Sequence, residues 1–483
     1  MLIVKVKNYM QKIKKWRTVL TVFLIAIFLV TTGASCAKGG TSDAKESFKP
    51  VTLKFWTVFD DRDAYADIIT AYKQLHPNVT IEFKKLRFEE YEKELIEAFA
   101  LGQGPDIFSI QNTWTNQYLK LLDPMPLTVS VPIKTIEGTV KKEEVIKLVT
   151  EKMYTPSQVK TIFGDNVAED TVFQYNEGTE DEPILTPRVF GLPTSLDNMV
   201  LYYNRDILNN AGVPEPAKYW TDLEGQIEKI RKVDNDNNIL QGAIALGTAK
   251  NVVRSFDILS LLMMQLKTEM VDDRGQVNFH KIPASLSGQG ITTPPGINGL
   301  EFYAAFADPI LNTYTWNEKM LESLQAFTSG KLAYFPGYAY HRPFIEAQAP
   351  TMNLEIAPML QLEGYDTVNF ANYWLQSVSA NSQNKGFAWD FVRFMTSPEQ
   401  VIKYLDKTGK PAAVRSLFDK QVQDEEMSVF VEQTLTAKSW YRGKDYKAAE
   451  KIFDDMIESV GLGEVTAKEA AGLAVQKIQQ TMK

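Results

Sequence analysis

Across 483 residues there is one cysteine, and there are three histidines. The lone Cys36 excludes any disulfide within the chain. Beyond it, the sequence can build neither a thiolate metal site nor a cysteine nucleophile. His76 precedes a proline in a turn, and His280 and His341 are isolated. There is no His-Glu-x-x-His, no Gly-x-Ser-x-Gly, no Walker loop and no internal repeat. Positive charge is also scarce. The net charge of −8 becomes −14 once six basic residues near the start are set aside (Lys5, Lys7, Lys12, Lys14, Lys15, Arg17). A body that acidic has no long-range attraction for nucleic acid or anionic membrane. With 44% hydrophobic and 23% charged residues, the chain has the composition of a folded, sizeable core.

The start of the chain holds that charge asymmetry. After the basic stretch comes the apolar run Val19 to Val30, broken by Thr21 and shorter than the ~20 residues of a membrane span. Gly33-Ala34-Ser35 then precede Cys36. A basic region, a short apolar region and small residues read as an export signal over residues 1–35. Three small residues before a cysteine resemble a lipobox, with Gly33 where such boxes usually carry leucine. Lipidation of Cys36 is the expectation, against ordinary cleavage nearby or an uncleaved anchor helix. Residues 36–50, small and polar, read as a flexible tether. The protein is expected to be exported and lipid-anchored, on the outer face of the cell membrane or in a periplasm.

The body opens as a strand-helix-strand unit. Leu53 and Phe55 alternate with polar residues, Tyr65, Ile68, Ile69, Tyr72 and Leu75 mark a helix face, and Val79, Ile81 and Phe83 alternate again. A helix with Phe88, Tyr91, Leu95 and Phe99 on one side leads to the strand Ile107 to Ile110. This alternation predicts an α/β fold with a parallel sheet covered on both faces. Residues 127–188 read as an insertion with small helices, one over Thr135 to Met153, and an acidic loop over Gly178 to Pro187. Thr221 and Glu224 have capping-box spacing, and Ser397-Pro398 starts another helix. Asp234-x-Asp236-x-Asn238 is similar to a calcium loop, but Ile239 stands where glycine is needed and Ala245 where glutamate is needed. It reads as a solvated turn, with no metal.

Five segments in order resemble the extracellular solute-binding proteins of bacterial ABC importers, the group that includes the maltose-type binders. They are VTLKFWTVFDD…AYKQLHPNVTIEF, GQGPDIFSI, GLPTSLDNMVLYYNRDILNNAGVPEPAKYWTDLE, FTSGKLAYFPGYAY and ANYWLQSVSANSQNKGFAWDFVRFMTSPEQ. The resemblance implies a two-lobed periplasmic-binding-protein-like fold of type II, with a hinge and a ligand cleft between the lobes. Lobe 1 is expected over 51–196 and 359–408, and lobe 2 over 197–358 and 409–483. Crossings are expected near Thr194–Asp197, Ala357–Met359 and Lys407–Pro411.

The same resemblance places five loops at the cleft. They carry Trp56, Thr57, Phe59 and Asp60; Gln111, Asn112 and Trp114; Thr194, Ser195 and Asp197; Tyr338, Tyr340, His341 and Arg342; and Asn372, Tyr373 and Trp374. Trp316 is a further candidate. Asn372-Tyr373 stands where the family often has paired glycines. Aromatic rings beside Asp, Asn, Gln and Arg suit a sugar, whose ring faces stack and whose hydroxyls accept and donate. The resemblance implies a binding protein, not an enzyme, that needs no cofactor. Such a protein captures a mono- or oligosaccharide as a monomer and passes it to an ABC permease. The alternatives are a non-sugar solute, a carbohydrate-acting enzyme, or a receptor that reports to a sensor. Adjacent carboxylates at Asp60-Asp61 and Glu89-Glu90 keep the enzyme reading open.

Overall fold

The computed structural model describes residues 48–137 and 143–483. Cys36 and the expected export signal lie outside the described residues. Strands β1 (Val51–Val58) and β2 (Val79–Leu86) form where the period-two pattern predicts them, and β3 (Ile107–Gln111) where the short apolar run does. The helices Arg62–Leu75 and Phe88–Ala100 lie between them in the chain. Leu53 and Phe55 are fully buried because alternate β1 residues face the core. The Phe55 ring meets Tyr65, Phe83 and Phe391 edge-on at 5.2, 5.6 and 6.1 Å. Truncating such a ring to alanine costs about 3–5 kcal/mol, through lost burial and the cavity left behind.

The insertion departs from expectation. In place of a helix over Thr135 to Met153 there is an antiparallel hairpin of β4 (Thr128–Glu137) and β5 (Glu143–Lys152). Its β-branched residues (Val129, Val131, Ile133, Thr135, Val145, Val149) suit an extended chain better than a helix. The Pro132 carbonyl lies 3.2 Å from His76 Nδ1, which anchors the hairpin to the first helix's end. The small helices expected here do occur, over Pro156–Phe163 and Asp165–Thr171. The acidic stretch is the tip of a second hairpin, β6 (Val172–Asn176) with β7 (Leu185–Val189). Asn176 Oδ1 closes that tip by accepting the N–H groups of Gly178 and Ile184. A side chain at Gly178 would strike the Glu182 carbonyl oxygen at 2.1 Å.

The first sheet has the order β2-β1-β3-β15-β8, with β8 at Leu192–Pro193 and β15 at Trp374–Val378. Only its first half is parallel: β15 runs antiparallel to β3 and to β8. The second sheet has the order β10-β11-β12-β9-β13. These strands are β9 (Val200–Asn204), β10 (Lys232–Val233), β11 (Ile239–Ile244), β12 (Leu332–Gly337) and β13 (Leu354–Pro358). Only β11 and β12 pair in parallel there. Both sheets are mixed because distant chain segments return to them, which alternation along the sequence does not reveal.

The chain leaves the first sheet after Pro193 and enters the second at Val200. It returns between Pro358 and Trp374. Up to Phe370 the returning segment stays beside the second sheet, where Gln361 is hydrogen-bonded to Lys218 and Trp220. The short strand β14 (Asn369–Phe370) pairs with β16 (Ala437–Lys438). The passage therefore lies nearer Ala371 than the expected Ala357–Met359. The segments run side by side where they cross: Asn372 N–H donates to Asp197 O at 3.0 Å, and Leu196 N–H donates to Pro411 O at 3.1 Å.

Two local expectations shift slightly. The Trp220–Ile230 helix is capped by Asp222, whose Oδ2 accepts the Tyr219 and Lys218 N–H groups, rather than by Thr221 and Glu224. Ser397 does precede Pro398 at a helix start, but its hydroxyl donates to Phe394 O and caps nothing. Asp234 Oδ1 accepts the N–H groups of Asp236 and Asn238 and closes an exposed turn.

Candidate functional site

Where the crossing segments meet the carboxyl ends of the sheet strands, a cavity of about 30 Å³ remains between the two sheets. Phe59 and Asp60, directly after β1, form one wall. Thr194, Ser195 and Asp197 come from the first crossing, Tyr340 follows β12, and Asn372, Tyr373 and Trp374 lead into β15. Sequence reasoning placed all nine there. It missed Val58, Tyr65, Ser109, Gln376, Tyr404 and Lys410, which complete the lining.

Lys410 is the cation of the site. Its Nζ donates to Asp60 Oδ1 at 2.6 Å, and the Tyr404 hydroxyl donates to Asp60 Oδ2 at 2.8 Å. Burial raises the Tyr404 phenol well above its usual range, and the Asp60 carboxylate adds to the shift. The Asp197 carboxylate is buried too. It accepts from the N–H groups of Ala339 (3.0 Å), Tyr340 (3.3 Å) and Asn198 (2.9 Å). Desolvation pushes its pKa up to about 7, against those amides and Lys410, which pull it down. Asp197 thus holds the Tyr340 loop against the crossing segment.

Rings fill most of the remaining space. Phe59 stacks on Tyr340 at 5.5 Å and 11°, and on Phe88 at 5.8 Å and 18°. Trp374 meets Phe59, Phe88, Tyr91 and Trp114 edge-on at 5.5–6.2 Å. Asn372 joins the two sides: Gln111 Nε2 donates to its Oδ1 at 2.9 Å, and its Nδ2 lies 3.3 Å from Asp257 Oδ2. Asp257 is fully buried. It also receives the Tyr338 hydroxyl and the Arg254 guanidinium, which binds both of its oxygens.

The other expected residues lie off the cavity. Trp56 sits on the opposite side of β1 from the core residues, under the Lys84 ammonium at 4.3 Å. The Thr57 hydroxyl turns back to the Val58 carbonyl. Asn112 and the Tyr373 hydroxyl both donate to Asp170 Oδ2, so they serve a buried carboxylate. Gln111, Trp114 and Tyr338 support lining residues from behind. His341 Nδ1 accepts the Tyr338 N–H, and burial lowers the ring's pKa to about 3. Trp316 is fully buried, 3.2 Å from Asn251 Oδ1, so its place is in the core. Arg342 pairs with Glu346 and Glu426 and lines a separate cavity of about 560 Å³. That cavity is larger, but its one cation, Arg342, is already held by Glu346 and Glu426, and it has no aromatic ring. Among the described residues, no group of three His, Cys, Asp or Glu side chains is placed to hold a metal ion.

Two mixed sheets, chain crossings between them and a polar, aromatic cleft at the junction define a two-lobed binding protein. The chain belongs to the bacterial extracellular solute-binding protein family, whose sequence model matches residues 59–402. It is 20% identical to the galactooligosaccharide-binding protein of Bacillus subtilis over 472 residues, 96% of this chain and 97% of that one. A putative binding protein of Brucella abortus is 19% identical over 71% of each chain. Among solved structures, the GacH receptor of Streptomyces glaucescens superposes with a TM-score of 0.64 at 17% identity, over 90% of this chain and 98% of the receptor. The cyclic alpha-maltosyl-1,6-maltose binding protein of Arthrobacter globiformis gives 0.67 at 17%, over 90% and 99%. The family and these relatives are binding proteins rather than enzymes.

Proposed function

We propose that this protein captures an oligosaccharide outside the cytoplasm and delivers it to an ABC permease, anchored through a lipid on Cys36 and acting as a monomer. The observation that carries this reading is the pairing of the Tyr340 and Trp374 rings with Asp60, Lys410, Asn372 and Ser195 around one cavity between the lobes. Rings bind the apolar faces of pyranoses, and the charged and amide groups bind hydroxyls. Relatives named for their ligands agree with it: galactooligosaccharide- and arabinooligosaccharide-binding proteins of Bacillus subtilis, and structures with acarbose or maltotetraose. Hinge bending between the sheets opens the cleft, and the closed form is what a permease recognises.

The test is a thermal-shift and calorimetric screen of the mature chain against galacto-, arabino- and maltooligosaccharides, followed by analysis of the sugars. A bound ligand raises the melting temperature. Stabilisation by a sugar recovered intact supports capture for transport. A sugar cleaved during the assay would make the protein an enzyme, and a blank panel would remove the carbohydrate reading. For the anchor, Cys36→Ser should move the protein from the membrane fraction to the soluble fraction. An unchanged distribution would remove the lipid from the proposal.

A further inference from the structure

We infer that Phe59 is a built-in plug of this cleft, held in the stacking position on Tyr340 that a ligand ring must take over. The inference rests on the reading of the cleft as a ligand site and goes on to say what keeps it shut. Tyr340 is stacked against by Phe59 at 5.5 Å and 11° and by Tyr338 at 5.6 Å and 13°, and the His341 ring lies tilted against it at 4.2 Å. No pyranose can stack where Phe59 now lies against Tyr340 until the Phe59 ring leaves. The 30 Å³ that remain hold a water or two, whereas ligand sites ordinarily measure roughly 300–1,000 Å³.

The backbone marks Phe59 as a movable part. Its φ is +65°, in the left-handed region that residues with side chains rarely adopt. The Asp60 N–H donates to Val58 O at 2.7 Å across it, so Phe59 is the apex of a γ-turn, a strained form when φ is positive. Two sets of contacts hold this turn in place: the ring stack, and the Asp60 contacts with Lys410 and Tyr404. The residue is still 37% exposed, so it borders solvent into which the ring can swing. Ligand entry then breaks two stacked contacts. Each is worth about two- to tenfold in an equilibrium constant, so the plug lowers apparent affinity by roughly tenfold or more.

The test compares the wild-type chain with Phe59→Gly, and with Phe59→Asn should the glycine variant fold poorly, because both residues tolerate positive φ. Calorimetry with maltotetraose and with a galactotriose should show binding tighter by roughly tenfold in the variant. Equal or weaker binding would overturn the plug, and weaker binding would make Phe59 a ligand-stacking ring. A second readout needs no sugar. Trp374 touches Phe59 edge-on, so removing the plug should increase acrylamide quenching of the Trp374 share of the fluorescence. That share is obtained by difference from Trp374→Phe backgrounds. No increase would overturn the plug whatever the sugars do. If neither protein binds a sugar, the carbohydrate reading fails, and the quenching result alone decides the plug.

Discussion

The Asp60 carboxylate and the Lys410 ammonium, 350 residues apart in sequence, meet at 2.6 Å in the wall of the cleft. Their side chains are 15% and 14% exposed, so the pair is largely out of water. Removing one partner strands the other charge. Asp60→Asn and Lys410→Met should each destabilise the fold by about 3 kcal/mol. The double variant should lose less than the sum of the two. Urea unfolding of all four proteins measures the coupling, and additive losses would mean the pair contributes nothing.

Trp374 is half-buried among four rings and also lines the cavity. Trp374→Ala should lower sugar affinity by at least about tenfold and stability by about 3 kcal/mol, leaving the chain folded. Calorimetry and chemical denaturation separate the two effects. A melted fold with intact affinity in the folded fraction would assign Trp374 to the core.

Two buried groups on either side of the Tyr338–Tyr340 loop titrate with opposite sign. Asp197, raised to about 7, binds a proton in the folded state that the unfolded chain releases above pH ~4. Its contribution is present at low pH and is lost as pH rises from about 4 to 7. His341, lowered to about 3, stays neutral in the fold while the unfolded chain gains a proton below pH ~6.5. Its contribution is present above that pH and is lost as pH falls towards 3. The two slopes oppose each other between pH 4 and 6.5. Relative to wild type, Asp197→Asn should become more stable as pH rises through that window, and His341→Asn less stable. Each slope should be about 1 kcal/mol per pH unit. Denaturation midpoints at intervals across pH 4–7.5 test this, and parallel curves for the two variants would contradict it.

Asp170, in the insertion, is fully buried. It accepts from Asn112 Nδ2 (2.9 Å), the Tyr373 hydroxyl (2.8 Å) and Ser439 Oγ (2.7 Å), and pairs with Arg442 at 3.0 Å. Asp170→Ala orphans these donors, so the expected loss is about 3–5 kcal/mol, with faster proteolysis at residues 165–171. A loss below about 1 kcal/mol, the worth of one ordinary hydrogen bond, would show that the insertion is not tied to the body through this residue.

Much of the first lobe was legible because its signals are local. Leu53, Phe55, Val79 and Ile81 alternate at strand period, and Tyr65, Ile68 and Tyr72 recur at helix period. The 128–152 hairpin was legible in principle, since Val129, Val131, Ile133 and Thr135 alternate, although a helix was expected over Thr135 to Met153. The cavity was half legible: Phe59, Asp197, Tyr340 and Trp374 sit in segments that resemble a family. Lys410 and Tyr404 carry no motif. They enter only because the segment around Lys410 lies beside the first crossing, with Leu196 bonded to Pro411. Trp316 was a further candidate outside the five resembling loops, and a tryptophan there is as well suited to the core, where the structure puts it.

By itself, the sequence determined the fold family, the absence of disulfide and thiolate chemistry, the acidic body and most of the loops that approach the cleft. These features rest on composition and short-range periodicity, which are properties of neighbouring residues. Only the tertiary structure decided which side chains face the cavity and which brace it from behind. It alone showed that Asp197 is held by three backbone amides, that Asp60 meets Lys410, and that Phe59 covers Tyr340. Apart from the neighbouring Asn198 amide, those are contacts between residues hundreds of positions apart. They form only when mixed sheets bring separate segments together, and burial then sets the charge and freedom of each group.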